Sequence, residues 1–136
     1  MIVPFGTAIV NHLLSDCVMK ILNIDDSTVN NMLMENILSS FGYETYSVLE
    51  GSDVLEKIEE YQPDLIILDL MMPHKSGIDV LEELRGQGVQ TPVIIVTALN
   101  DSELKRRARE LGVVDYQAKP VKMETLKDSI QQAIQA

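Results

Sequence analysis

Cys17 is the only cysteine among 136 residues, so no intrachain disulfide can form and no cysteine-rich metal site can be assembled. A reducing, cytoplasmic setting is therefore expected. Basic residues are also few: 11 Lys and Arg stand against 21 Asp and Glu, a formal net charge of −10. That balance argues against direct nucleic-acid binding, which needs clustered Lys and Arg for the phosphates. No stretch approaches the roughly 18 apolar residues of a membrane-spanning helix, and no membrane partner is expected. The first eighteen residues, MIVPFGTAIVNHLLSDCV, lack the basic start and small-residue cleavage site of a secretory signal. They read as a leader: a fusion remnant, a misplaced start or a dispensable extension, or else a short helix around 8–14 that folds back. There is no internal repeat, no low-complexity segment and no linker, so 19–136 reads as one domain.

What is present is a globular composition, 46 % hydrophobic, arranged in strict strand–helix alternation. Strands are expected over 20–24, 44–48, 64–68, 92–96 and 113–117, and helices over 27–41, 53–61, 77–85, 102–111 and 122–134. Val29, Leu33 and Ile37 repeat at a spacing of four and predict the inward face of the first helix, which Gly42 closes. Ser52 is the expected N-cap of the second helix. Ile78, Leu81 and Leu84 predict the inward face of the third, and Leu126, Ile130 and Ile134 that of the last. The third and fourth strands are continuous apolar runs, as strands buried on both faces of a parallel sheet must be. Such alternation implies an α/β, doubly wound, five-stranded parallel sheet with helices on both faces.

Polar residues fall at the ends of the core strands: Asp25 and Asp26 after the first, Asp69 after the third, Thr97 after the fourth, Lys119 near the end of the fifth. In a parallel sheet these ends share one edge, where ligands bind at the reversal of winding. With strand order 2-1-3-4-5, three carboxylates, a hydroxyl and an ammonium converge on one pocket. Packed carboxylates repel one another, and a hard cation offsets that charge. An oxygen-only donor set without His or Cys points to Mg²⁺. A carboxylate there can also act as a nucleophile and form an acyl phosphate. Taken singly, each residue has an ordinary structural explanation, since Asp26 and Ser27 suit a helix cap. Five on one edge make coincidence a poor account.

The motifs ILNIDDS, LIILDLMMPHKSG, PVIIVTA and YQAKP, in that order and spacing, resemble those of the receiver domain of two-component response regulators, the CheY-like superfamily. The resemblance covers 19–136 and implies a flavodoxin-like fold with strand order 2-1-3-4-5. It implies Asp69 as phosphoacceptor, Asp26 as a direct Mg²⁺ ligand, Asp25 as a ligand through water or a helper, and the Met71 backbone carbonyl as a further ligand. Lys119, preceding an implied cis Pro120, would pair with the phosphoryl oxygens, and Thr97 would donate its hydroxyl. Tyr116 would turn inward as Thr97 moves, while small Ala98 leaves the approach to Asp69 open. The implied partners are a histidine kinase or phosphotransfer protein as donor and a protein target on the face formed by the fourth helix, fifth strand and fifth helix. The chain would then catalyse only its own modification and would not be an enzyme with an external substrate.

Some positions depart from the family pattern. Asn23 replaces an apolar strand residue, and a buried amide there needs partners. Met71 and Leu99 stand where polar groups align the water that removes the phosphoryl group, so a long-lived phosphoryl group is expected. The last helix lacks the arginines of the transcription-factor dimer, and a monomer or weak dimer is expected. The basic run Lys105, Arg106, Arg107, Arg109 reads as a solvated face with a Glu103–Arg107 pair, or as a docking patch. His74 reads as an exposed loop residue. Three rival readings are weaker, the first a folded interaction module with the acidic pocket unused, which the complete set of site residues opposes. A phosphohydrolase with an aspartyl nucleophile would carry a second Asp where Met71 stands. A flavodoxin would need a Ser/Thr/Gly-rich phosphate loop after the first strand.

Overall fold

A computed structural model describes residues 18–135, so the leader's residues 1–17, with the short helix expected around 8–14, lie outside the described residues. The elements in chain order are β1 (Lys20–Ile24), α1 (Thr28–Ser40), β2 (Glu44–Val48), a 3₁₀ turn (Gly51–Asp53), α2 (Val54–Tyr61), β3 (Leu65–Leu68), α3 (Gly77–Gly86), β4 (Val93–Thr97), α4 (Ser102–Glu110), β5 (Asp115–Ala118) and α5 (Met123–Gln135). The strands are all parallel, in the order β2-β1-β3-β4-β5. This is the doubly wound, flavodoxin-like α/β fold.

Alternation along each strand divides the core between the two faces of the sheet. Leu22, Ile24, Ile66, Leu68 and Ile95 pack on one face with α2, α3 and α4, through Ile58, Leu81 and Ala108 among others. Ile21, Ile67, Ile94 and Val96 pack on the other with Met34 and Leu38 of α1 and Leu126 and Ile130 of α5. Side chains start the helices that lead away from the site edge. Ser27 Oγ accepts from the Asn30 N–H (3.2 Å), Ser76 Oγ from Asp79 (3.2 Å), and Asp101 Oδ1 from Glu103 (2.8 Å) and Leu104 (3.0 Å).

Several local expectations need correction. α1 is turned about its axis: Val29 and Leu33 are exposed, while Asn31, Met34 and Leu38 are buried. Ile134 at the end of α5 is exposed, and Ala133 packs in the core instead. Ser52 sits inside the 3₁₀ turn, and α2 starts at Val54 with Asp53 at the N-cap position making no side-chain cap bond. β5 begins two residues later than expected because Val113 belongs to the helix end before it. Gly112 adopts φ +78°, and the Val113 N–H closes onto the Ala108 carbonyl at 3.3 Å. Glu103 pairs with Arg106, not Arg107; Arg107 reaches Glu82 on α3 at 2.7 Å.

Candidate functional site

The ladder of parallel strands continues one residue past the strand ends on the edge that carries the polar residues. The Asp25 N–H donates to the Val48 carbonyl (3.1 Å), Asp69 to Ile24 (2.9 Å) and Lys119 to Thr97 (2.8 Å). These backbones are thus fixed before any side chain acts. Asp25 and Asp69 then form matching turns, each Oδ1 accepting the N–H two residues on, from Ser27 and Met71 respectively, at 3.0 Å. The second oxygens converge on one cation: Lys119 Nζ donates to Asp25 Oδ2 at 2.8 Å and to Asp69 Oδ2 at 2.9 Å. Asp26 is exposed beside them, and one oxygen from each of Asp25, Asp26 and Asp69 lies within 4.8 Å of the others. Three carboxylates at that separation, with no nitrogen or sulfur donor among them, fit a hard cation such as Mg²⁺.

Burial pulls the Lys119 ammonium toward the neutral form, but hydrogen bonds and charges from Asp25 and Asp69 outweigh it, and the net shift is upward. The Lys119–Pro120 peptide is cis. Thr97 is fully buried, and its Oγ1 accepts weakly from the Leu99 N–H at 3.4 Å. Tyr116 is half-buried and donates its hydroxyl to the Leu99 carbonyl at 2.9 Å. Burial first, then the charges of Asp101 and Asp69, raises the Tyr116 phenol above its ordinary pKa. Lys105 Nζ stands over the Tyr116 ring, 5.5 Å from its centroid, and bonds Asn100 Oδ1 at 2.8 Å. The residues after β4 are thus held from two sides. Gly77 packs so closely that a Cβ there would lie 2.3 Å from the Asp69 carbonyl oxygen, so α3 starts directly beneath Asp69 only because residue 77 has no side chain.

Residues 21–131 match the family of response regulator receiver domains. The chain belongs to that family. It is 40 % identical over 112 residues to the transcriptional regulatory protein CiaR of Streptococcus pneumoniae, covering 82 % of this chain and 50 % of that protein. It is 38 % identical over 103 residues to the Regulator of RpoS of Escherichia coli K12, covering 76 % of this chain and 31 % of that one. The chain therefore spans half or less of these relatives. A response regulator receiver domain protein of Clostridium thermocellum superposes with a TM-score of 0.81 at 30 % identity, covering 87 % of this chain and 95 % of that one.

The receiver domain brings Asp25, Asp26, Asp69 and Lys119 into one cluster and sets Thr97 at the end of β4 beside it, with Tyr116 behind the following loop. Met71 is half exposed just past Asp69, Leu99 is half-buried, and Ala98 and His74 are exposed. Two residues beneath the cluster were not anticipated as a pair. The buried amide of Asn23 donates to Asn31 Oδ1 at 2.6 Å, and Asn31 Nδ2 donates to the Asp25 carbonyl at 2.9 Å. The sequence signal was Asn23 alone, a polar residue in an apolar strand; Asn31 is concealed on a helix whose phase periodicity misassigns. From the acidic cluster an open cleft of about 510 Å³ runs between α1 and the segment after β5, with Leu33, Met34, Val96 and Val121 on its walls.

Proposed function

We propose that this receiver domain takes a phosphoryl group onto Asp69 from a phosphohistidine of a histidine kinase or phosphotransfer protein, in the cytoplasm, and thereby changes its affinity for a protein target. The observation that carries this reading is the convergence of Lys119 on Asp25 and Asp69 beside the exposed carboxylate of Asp26. A carboxylate oxygen of Asp69 attacks phosphorus; the new O–P bond forms as the donor's N–P bond breaks, and the imidazole leaves to take a proton from solvent. Asp25, Asp26, Asp69 and the Met71 carbonyl would hold Mg²⁺, which supplies charge that screens the phosphoryl oxygens from the carboxylates. Lys119, already drawn to Asp69, pairs with a phosphoryl oxygen once the acceptor is esterified. The Thr97 hydroxyl gives up its weak bond from Leu99 and donates to another. Met71 and Leu99 offer no polar group to align water, so the acyl phosphate persists.

The donor docks on the apolar side chains that α1 leaves outside, Val29, Met32 and Leu33, exposed by 65, 58 and 57 %, of which Leu33 also lines the acidic cleft. The target binds on the face of α4, β5 and α5, where Tyr116 and Lys105 report the state of the site, and the domain works as a monomer or weak dimer. Wild type and Asp69→Asn incubated with acetyl phosphate and Mg²⁺ test the reading by intact mass. Wild type gains one phosphoryl group and loses it slowly once donor is removed; the variant gains none. Equal labelling of the variant overturns Asp69 as acceptor, and decay of the label within seconds overturns the slow hydrolysis.

A further inference from the structure

Asn23 and Asn31 are each only 3 % exposed, on the face of the sheet covered by α1 and α5. Asn23 lies two residues before Asp25 on β1, so both side chains leave the strand on the same side, and its register partners are Ser47 on β2 and Ile67 on β3. Burying an amide is costly unless its hydrogen bonds are made. Replacing both members of a buried polar pair by apolar groups of similar shape is close to neutral for stability or favourable. Stability therefore gives no reason for two amides here. Their connectivity does. Asn23 Nδ2 donates to Asn31 Oδ1 (2.6 Å), which leaves the Asn31 amide nitrogen aimed at the Asp25 carbonyl (2.9 Å).

That carbonyl belongs to the peptide joining Asp25 to Asp26. Asp25 is consequently held at three points: one carboxylate oxygen by the Ser27 N–H, the other by Lys119, and the main chain by Asn31. Among the described residues Asp26 has no such support, so the direction of its carboxylate depends on the orientation of the peptide before it. We infer that Asn31 is a positioning residue for the acidic pair, with Asn23 orienting its amide, and that together they set how tightly the cluster takes a divalent cation. Outer-shell partners of this kind, which never touch the metal, govern the placement of the ligands that do. The inference rests on the Mg²⁺ reading above.

The test measures thermal unfolding across a Mg²⁺ titration for wild type, Asn23→Val/Asn31→Leu and Asp26→Asn, with the metal alone as ligand. Wild type gains stability with Mg²⁺, and Asp26→Asn loses most of that gain. The double apolar variant loses some metal-free stability, because the Asp25 carbonyl loses its donor, and also needs about tenfold more Mg²⁺ for the same rise in melting temperature. A merely structural role for the pair moves the metal-free melting temperature and leaves the Mg²⁺ midpoint alone, which overturns the inference. Should the double variant fail to fold, Asn23→Val decides: it keeps the Asn31 bond but removes its orienting donor, and an unchanged Mg²⁺ midpoint overturns the inference equally. A wild type indifferent to Mg²⁺ overturns the metal reading and this inference with it; a responsive wild type matched by the double variant overturns this inference alone.

Discussion

On the proposed reading, Lys119 serves two states of the same pocket. Without a phosphoryl group it lies between two buried carboxylates, and each of its contacts offsets repulsion that the fold would otherwise carry. Replacing it by Met leaves those carboxylates facing each other and should destabilise the domain by about 1–3 kcal/mol in the absence of divalent metal, with Mg²⁺ restoring part of the loss. The pH dependence has a definite sign. A lysine whose pKa is raised by folding contributes stability that is complete below its ordinary value of 10.5 and is lost as pH rises through the higher folded value. Chemical denaturation across the alkaline range should therefore show wild type losing more stability than Lys119→Met above that point. Parallel curves would mean that the two contacts add nothing to the folded state.

At the scale of elements, α1 carries the most consequence. It has two apolar stripes, Val29–Met32–Leu33 and Met34–Ile37–Leu38, and hydrophobic period alone cannot say which one faces the sheet. Packing decides: Met34 and Leu38 enter the cluster with Ile21, Ile67 and Leu126, while the Asn31 bond to Asp25 turns the first stripe outward. The number, type and order of the elements were legible because each strand is a short apolar run bounded by a helix signal. The polar residues at the strand ends were legible because a parallel sheet gathers those ends on one edge. The phase of α1 and the start of β5 were not, since both depend on bonds between residues far apart or on a turn closing backward onto a helix. An outward apolar stripe has a measurable meaning. Leu33→Asp should change stability by no more than about 0.5 kcal/mol, as substitutions at exposed sites do. It should leave labelling by acetyl phosphate intact and slow transfer from a phosphorylated histidine protein by about tenfold or more. Equal loss with both donors would place the defect in the acidic cluster and not in docking.

Across the whole molecule, Thr97 at the site edge and the α4–β5–α5 face are joined by a short run of contacts. Thr97 Oγ1 holds the Leu99 N–H, the Leu99 carbonyl holds the Tyr116 hydroxyl, and Lys105 ties the Tyr116 ring to Asn100. The first of these is the weakest, 3.4 Å against 2.9 Å for the second, so it is the one that strains first if the Thr97 hydroxyl turns to donate to a phosphoryl oxygen. Coupling of this kind needs an element with two arrangements whose balance both ends can bias. On the proposed reading that element is the segment 98–100, held by a side chain from β4 on one side and from β5 on the other. Much of the charge on α4 is already engaged, with Arg106 and Arg107 paired to Glu82, Glu103 and Glu110, so local ion pairing accounts for this part of the basic run. Tyr116→Phe removes the hydroxyl that reads Leu99 while leaving Asp25, Asp26, Asp69 and Lys119 untouched. Its labelling on Asp69 should match wild type, whereas hydrogen exchange in α4 should respond to phosphorylation much less than in wild type. An undiminished response in that variant would mean that the signal reaches the far face without passing through the tyrosine hydroxyl.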